Sequence, residues 1–388
     1  MTKQLNCTYK ALIALGLLGL GLFIFFDPLA DADQQMDAGV LGLETGGQLE
    51  VKSDGVIGSF VDPYNNLFLV WKEKDTQNIF FNYFNGSVWS QPVQVMDYSG
   101  NPILTNYGVE AVIAVDSLTA PIVCLFYKPT WDTKQQGLID YTCSPLVYDT
   151  KLIPQFTFEP TREFMRIKGD VVGMLSSTPV PTDRTNFTLA WAEYNSATVG
   201  SIRTFTCKLI QGLRIDCGDY ILVDNNIRGD RTGIADVKGI PFLFYSDTYN
   251  ANDKINYFPN SLATGTVLEN SSGNPRKTRE RIAAHAFSDN IFVAFTDLEL
   301  TSGEGSAVQF ARISADDLSS VDDKGRFGFK KWQYCKLQAD GVSLAYSAQG
   351  PTLVEYADGL YLFFTYTLFD DQITYIRIDT LAMNGEIC

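Results

Sequence analysis

Histidine is almost absent: His285 is the one histidine among 388 residues. Sites that hold a metal on several imidazoles are therefore excluded, and a Ser-His-acid triad would have to be built on that single position. His285 sits in a run of small residues, Ile282 to Phe287, and reads as a hydrogen-bonded residue lining an interior channel. A Walker loop and a Gly-x-Gly-x-x-Gly turn between strand and helix are also missing, so nucleotides have no cradle. Positive charge is scarce. Thirty Lys and Arg against 45 Asp and Glu leave a net charge of −15, the wrong sign for a phosphate backbone, which excludes nucleic acid as a partner. No stretch outside the N-terminus carries a useful 3.6-residue apolar period, which leaves little room for helices.

What the chain has is aromatic strand sequence, with 26 Phe and 19 Tyr. The stretch from Asp54 to Val95 reads as four strands: Val56–Val61, Leu67–Trp71, Asn78–Phe84 and Val88–Val95. Between the first two lies Asp62-Pro63-Tyr64-Asn65-Asn66, which is turn chemistry. Between the last two lies Asn85-Gly86, where a tight hairpin wants positive φ. One such sheet is a propeller blade. Apolar strands ending in an aromatic recur at Trp71, Phe126, Trp191, Tyr245, Phe295 and Phe364, at spacings of 55, 65, 54, 50 and 69 residues. Six copies at blade-sized intervals predict an all-β, six-bladed β-propeller of four-stranded blades. Each copy follows a strand rich in small residues, at 56–61, 109–115, 171–177, 232–237, 282–287 and 352–356, suited to the crowded axis. Gln48–Lys52 is expected to close the ring against the last blade.

The tail of the opening unit, Asn85-Gly86-Ser87-Val88-Trp89-Ser90-Gln91-Pro92, resembles the "dG-x-W-s-x-P" strand ending of sialidase-like propellers and of six-bladed fucose-binding lectins. In repeat anatomy the resemblance runs from about residue 54 to the end. It implies a carbohydrate ligand. The full Asp-box of sialidases is absent, and no repeated Arg/Glu/Trp sugar pocket recurs in every blade.

Ahead of the propeller, assigned to 48–388, stand a signal segment or signal anchor at 1–32 and a linker or arm at 33–47. Lys3 and Lys10 precede the apolar run Ala11–Phe26, whose 16 residues fall short of the roughly 20 needed to span a bilayer. An Ala-x-Ala pattern then places cleavage after Ala32. The mature chain would keep six cysteines in an oxidising compartment. Cys124 with Cys143 and Cys207 with Cys217 lie on successive strands of single hairpins; Cys335 and Cys388 remain to pair, with other connectivities open. Sequons at Asn85, Asn186 and Asn270 suit a secreted or cell-surface glycoprotein.

Three constellations carry candidate chemistry. Acids follow the strand-ending aromatics: Glu73, Glu193, Asp247 and Asp297 two residues on, Asp132 and Asp370 six residues on. On the loop face they would accept sugar hydroxyls, bind Ca²⁺ through oxygens (the one cofactor foreseen), or supply acid and base for glycoside hydrolysis. Arg231 and Arg281 lead into the fourth and fifth inner strands and would clamp an anionic group on the same face. Trp131 and Tyr249 lie in loops, where an aromatic face can stack on a pyranose. The expectation is a secreted propeller that binds carbohydrate or another extracellular ligand without catalysis, its partners being glycans or surface glycoproteins. Two rivals stand beside it: a glycoside hydrolase or sialidase-like enzyme, and a structural glycoprotein that self-assembles through its arm.

Overall fold

The computed structural model describes residues 46–114, 121–130, 136–172, 176–180, 183–195, 200–210, 213–218, 221–224, 232–247, 254–259, 266–269, 273, 275–278, 281–297, 307–336, 338–339, 342–343, 350–366 and 371–381. The signal segment, Trp131, Asp132, Arg231, Tyr249, Asn270, Asp370 and Cys388 lie outside them.

Six antiparallel blades follow one another along the chain. The first is Gly58–Val61, Leu67–Lys72, Ile79–Phe84 and Val93–Gln94. The second is Thr105–Ala114, Ile122–Pro129, Gln136–Tyr148 and Pro154–Phe156. In the third, Ser176–Val180, Asp183–Asn195 and Gly200–Ile210 are flanked by two short pieces, Arg214–Cys217 and Ile221–Asp224. The fourth is Thr232–Val237, Ile240–Asp247, Lys254–Pro259 and Thr266–Val267. The fifth is Ala283–Phe287, Asn290–Asp297, Ala307–Ser314 and Gln333–Lys336. Thr352–Tyr356, Gly359–Tyr366 and Gln372–Arg377 form the sixth, whose outer strand is Gly46–Lys52, paired with Gln372–Arg377 as expected. The ring is thus latched by hydrogen bonds between the two ends of the propeller sequence. One short helix, Ala315–Ser319, is capped by Ser314, whose side chain accepts from the Asp317 N–H.

Alternation along the strands explains why the ring closes. Successive side chains of a strand point to opposite faces. Leu67, Leu69 and Trp71 therefore pack toward the sixth blade, while Phe68 and Val70 from the same strand pack toward the second. Ile291, Val293 and Phe295 face the fourth blade, and Phe292 and Ala294 face the sixth. Six apolar clusters result, each shared by two neighbouring blades, and together they run round the whole ring. A strand buried on both faces reads as an unbroken apolar run, which is the pattern that marked these strands in the sequence.

Two strands differ from expectation. The third inner strand is Ser176–Val180, not 171–177, because Ser176 pairs with Ala190 and Val171 and Val172 belong to a separate strand. That strand, Arg162–Val172, pairs with both Gln136–Tyr148 and Asp183–Asn195 and joins the second and third blades into one sheet. The fourth strand of the first blade is only Val93–Gln94, with a lone bridge between Phe84 and Trp89. Pro92, between the two, has no N–H to donate to a ladder.

The turn chemistry holds and recurs. Asp62 Oδ1 accepts from Tyr64 N and Asn66 N, each at 2.8 Å, with Asn65 at φ 62°. Asp97, Asp149 and Asp322 build the same five-residue loop, each carboxylate accepting the N–H groups two and four residues on. The Asp62-Pro63 pair is accordingly turn geometry.

Candidate functional site

The inner strands converge so closely that side chains are excluded at some positions. A Cβ on Gly233 would lie 2.5 Å from the Ile282 carbonyl oxygen. What space remains forms a cavity of about 210 Å³ on the axis, lined by all six inner strands. Its walls carry hydroxyls from Ser59, Ser176, Ser177, Thr178 and Thr352 among aliphatic groups. Two pairs of these hydroxyls or their neighbours link adjacent blades, Ser59 to Thr352 at 3.3 Å and Ser176 to Thr232 at 3.0 Å.

Charge enters the cavity at two levels. At one end Arg281 and Glu110, 8% and 4% exposed, form an ion pair through Arg281 Nη2 and Glu110 Oε2. Arg281 Nη1 donates to the Ile57 carbonyl at 2.9 Å. Ser177 donates to Glu110 Oε1 from its backbone N at 3.1 Å and its hydroxyl at 2.6 Å. Four blades thus meet at one carboxylate-guanidinium unit. The first and second blades are stitched beside it, Val56 N donating to Tyr107 O and Val109 N to Val56 O. Gly350 leaves room for Arg281, since a Cβ there would fall 2.0 Å from the Arg281 Cβ. The Arg281 Nε, also buried, has no hydrogen-bond partner.

Burial pushes the Glu110 carboxyl above the ordinary glutamate value, against the pull of the Arg281 charge and of the Ser177 hydrogen bonds. Four residues along the same inner strand from Arg281, His285 faces Glu355 from the sixth blade, Nε2 to Oε2 at 3.8 Å. The nearby His285 imidazole holds the Glu355 carboxyl below its usual value despite partial burial. His285 is therefore a channel-lining residue with a polar partner, as its setting in the sequence suggested.

The expected loop-face acids are placed by strand register. Arg281 precedes Ala283, which pairs with Ala294, so Asp297 at the end of Asn290–Asp297 belongs to the Arg281 end of its blade. Asp247, at the last position of Ile240–Asp247, and Glu193, opposite Val172, occupy the corresponding ends of the fourth and third blades. Glu73 is engaged locally: its Oε2 accepts from Thr76 N at 2.8 Å and caps the turn between the second and third strands. Arg281 is in the cavity, but its charge is met by Glu110 rather than left free for the anion expected of it.

Glu110 and Ser177 were missed. The available signal was a lone glutamate inside the inner-strand run Val109–Val115, where every neighbour is apolar. Both hairpin disulfides form, Cys124–Cys143 and Cys207–Cys217, between directly opposed residues. Cys335 is disulfide-bonded as well. Asn85 is exposed beside its hairpin turn, while Asn186 is half-buried in a paired strand opposite Lys208. Among the described residues no group of three or more His, Cys, Asp or Glu is arranged to hold a metal ion.

No protein-family model matches the chain, and no curated protein does. Solved structures do. An α-L-arabinanase from Penicillium chrysogenum aligns with TM-score 0.56 and 10% identity over 86% of this chain and 98% of its own. An α-L-arabinofuranosidase from Fusarium graminearum aligns with TM-score 0.54 and 10% identity, covering 86% and 97%. The sialidase of Trypanosoma rangeli gives 0.52 and 8% identity, and the match spans 88% of this chain but only 60% of the sialidase. The sialidase-like blade anatomy is thereby matched at the level of fold. The expectation of a non-catalytic carbohydrate binder is corrected: these propellers are named for glycan cleavage and not as lectins. The channel also holds a buried carboxyl, Glu110, that was not foreseen.

Proposed function

We propose that the chain is a glycoside hydrolase whose reaction centre lies at the Glu110 end of the axial cavity. The observation that supports this best is the buried Glu110 carboxyl, facing a hydroxyl-lined cavity and raised in proton affinity by burial. Such a group suits the acid that protonates a leaving glycosidic oxygen. Arg281 and Ser177 hold it in one orientation and stabilise the carboxylate left after proton transfer. Hydrolysis needs a second carboxylate, about 5–5.5 Å away for retention of configuration or about 6.5–9.5 Å for inversion. Glu193, Asp247 and Asp297, at the same end of their blades, are the candidates. The neighbouring arabinanase and arabinofuranosidase propellers support the reaction class. Cross-strand disulfides support a secreted or surface location, where thiols stay oxidised, and the exposed Asn85 sequon would then be open to glycosylation.

The test is turnover. The full chain is assayed on a panel of 4-nitrophenyl glycosides, including α-L-arabinofuranoside, and on arabinan and galactan. Cleavage of at least one is expected, with Glu110→Gln lowering kcat by about 10²–10⁴-fold while the protein still unfolds cooperatively. No cleavage of any member, or an undiminished Glu110→Gln variant, overturns the proposal.

A further inference from the structure

The four acid-capped turns share a left-handed fourth residue, and one of them fills it with an unsuitable side chain. Asn65 stands there at φ 62°, Gly100 at φ 79°, Gly325 at φ 77° and Leu152 at φ 61°. An L side chain in that region crowds the adjacent carbonyl, which glycine avoids and asparagine tolerates. Burial does not offset the strain, since Leu152 is 72% exposed. A strained, apolar and exposed residue calls for a partner outside the fold.

Its surroundings are of the same kind. Val147 and Ile153 flank the turn and are exposed too, and the neighbouring turn of the first blade brings Tyr64, 67% exposed, edge-on to Tyr148 at 4.8 Å. Asn66 Nδ2 donates to the Tyr148 hydroxyl at 3.1 Å and fixes the two turns together. Lys151 is exposed beside Leu152. Tyrosine and aliphatic side chains with a lysine at their edge suit the lipid–water interface. We propose that this face of the ring lies against a lipid bilayer, with Tyr64 and Leu152 in its interface. The proposal is separate from the hydrolase reading and does not rest on it.

The point where the chain enters the ring favours a bilayer as the occupant. Inner strands run away from the Arg281 end and direction alternates across each sheet, so third strands run the same way and turns 62–66 and 149–153 lie on the far face. Gly46 pairs with Ile376, near the end of the third strand of the sixth blade, so the sequence ahead of it joins the ring on that face. It holds the apolar run 11–26, which we take as a retained signal anchor. Its 16 residues fall short of the roughly 20 of a spanning helix, so a second lipid contact adds to the hold. The Glu110 end of the cavity then opens away from the membrane. Asn85 stands on the sixth-blade side of the first blade, where Gly86 neighbours the Tyr356 hydroxyl, which sets a glycan there apart from Tyr64 and Tyr148.

The test is lipid contact. The full chain is reconstituted in phosphatidylcholine vesicles doped with a phosphatidylcholine that carries a photoreactive diazirine at the top of one acyl chain, and cross-linked peptides are mapped by mass spectrometry. Residues 62–66 and 147–153 are expected to be labelled at least about tenfold more than 97–101, the factor that burying one leucine is worth at the least. Turn 97–101 is the control, built in the same way at the Arg281 end, with Tyr98 65% exposed. Leu152→Asn removes the apolar group and the strain together; labelling of 62–66 should fall about tenfold while the urea midpoint holds or rises. Labelling confined to the apolar run, as when a second copy or another protein covers the patch, overturns the proposal. So does equal labelling of 97–101, undiminished labelling of 62–66 in Leu152→Asn, or a lowered midpoint in that variant, which would make Leu152 a structural residue.

Discussion

Replacing Arg281 by methionine removes the cation from the buried Arg281–Glu110 pair of the cavity and strips two acceptors, Glu110 Oε2 and the Ile57 carbonyl, of their donor. Methionine keeps much of the volume, so the change is mainly electrostatic. Breaking a buried pair from one side costs about 3–5 kcal/mol, because the surviving carboxylate keeps only its Ser177 donors and loses its counter-charge. The loss should depend on pH, with a definite sign. Without Arg281, burial raises the Glu110 value in the folded state further above its unfolded value of about 4.3. A carboxyl whose folded value is raised binds more protons folded than unfolded between the two values. The variant's stability is then greatest below the unfolded value and falls by about 1.4 kcal/mol per pH unit as pH rises through the window. Urea melts at about pH 5 and about pH 8, analysed with a shared m-value, should show the larger deficit at the higher pH. Removing both charges in Arg281→Met with Glu110→Leu should recover most of the loss, since a buried pair replaced by apolar groups is often neutral. A deficit below about 1 kcal/mol at neutral pH, or one unchanged between the two conditions, would refute the account of this pair as a buried, mutually compensating unit.

Gly350→Ala should damage the same site sterically: its Cβ would overlap Arg281, and overpacking of this kind costs about 1–3 kcal/mol in a chemical melt. Phe295→Ala should cost about 3–5 kcal/mol, because the ring is fully buried between the fourth and fifth blades. Cys207→Ser paired with Cys217→Ser should cost about 2–3 kcal/mol by the chain-entropy argument for a loop of 10 residues, with an undiminished urea midpoint as the contrary result. Glu355→Gln should flatten the acid limb of the stability curve. Its folded value is depressed by His285, so its contribution is present above the unfolded glutamate value and is lost as pH falls through the folded one; acid titration followed by tryptophan fluorescence reads this out.

Legibility in the sequence followed the range of the interaction. Leu67 to Trp71 announced a doubly buried strand because its apolar run is unbroken, and the structure divides those side chains between two inter-blade clusters. Asp62 announced a turn because a short acceptor two residues before an N–H can only close locally, and it does. Cys207 and Cys217 were paired correctly since a hairpin opposes them directly. The third inner strand was misplaced by a few residues because Val171-Val172 is as apolar as an inner strand, and only pairing with Gln136 and Glu193 distinguishes it. Glu73 looked equivalent to Glu193 and Asp297 by spacing, yet its carboxylate is used on its own turn.

The amino-acid order by itself determined the blade: its four strands, its turns, its hairpin disulfides and the sixfold recurrence that makes a ring, all set by alternation and turn stereochemistry within a few tens of residues. Only the closed ring decided the chemistry of the axis. Glu110 meets Arg281 across 171 residues of chain and Ser177 across 67. No local pattern encodes such a meeting, because it depends on how six independently formed sheets are rotated about one axis and on which side chains the narrowing centre leaves room for.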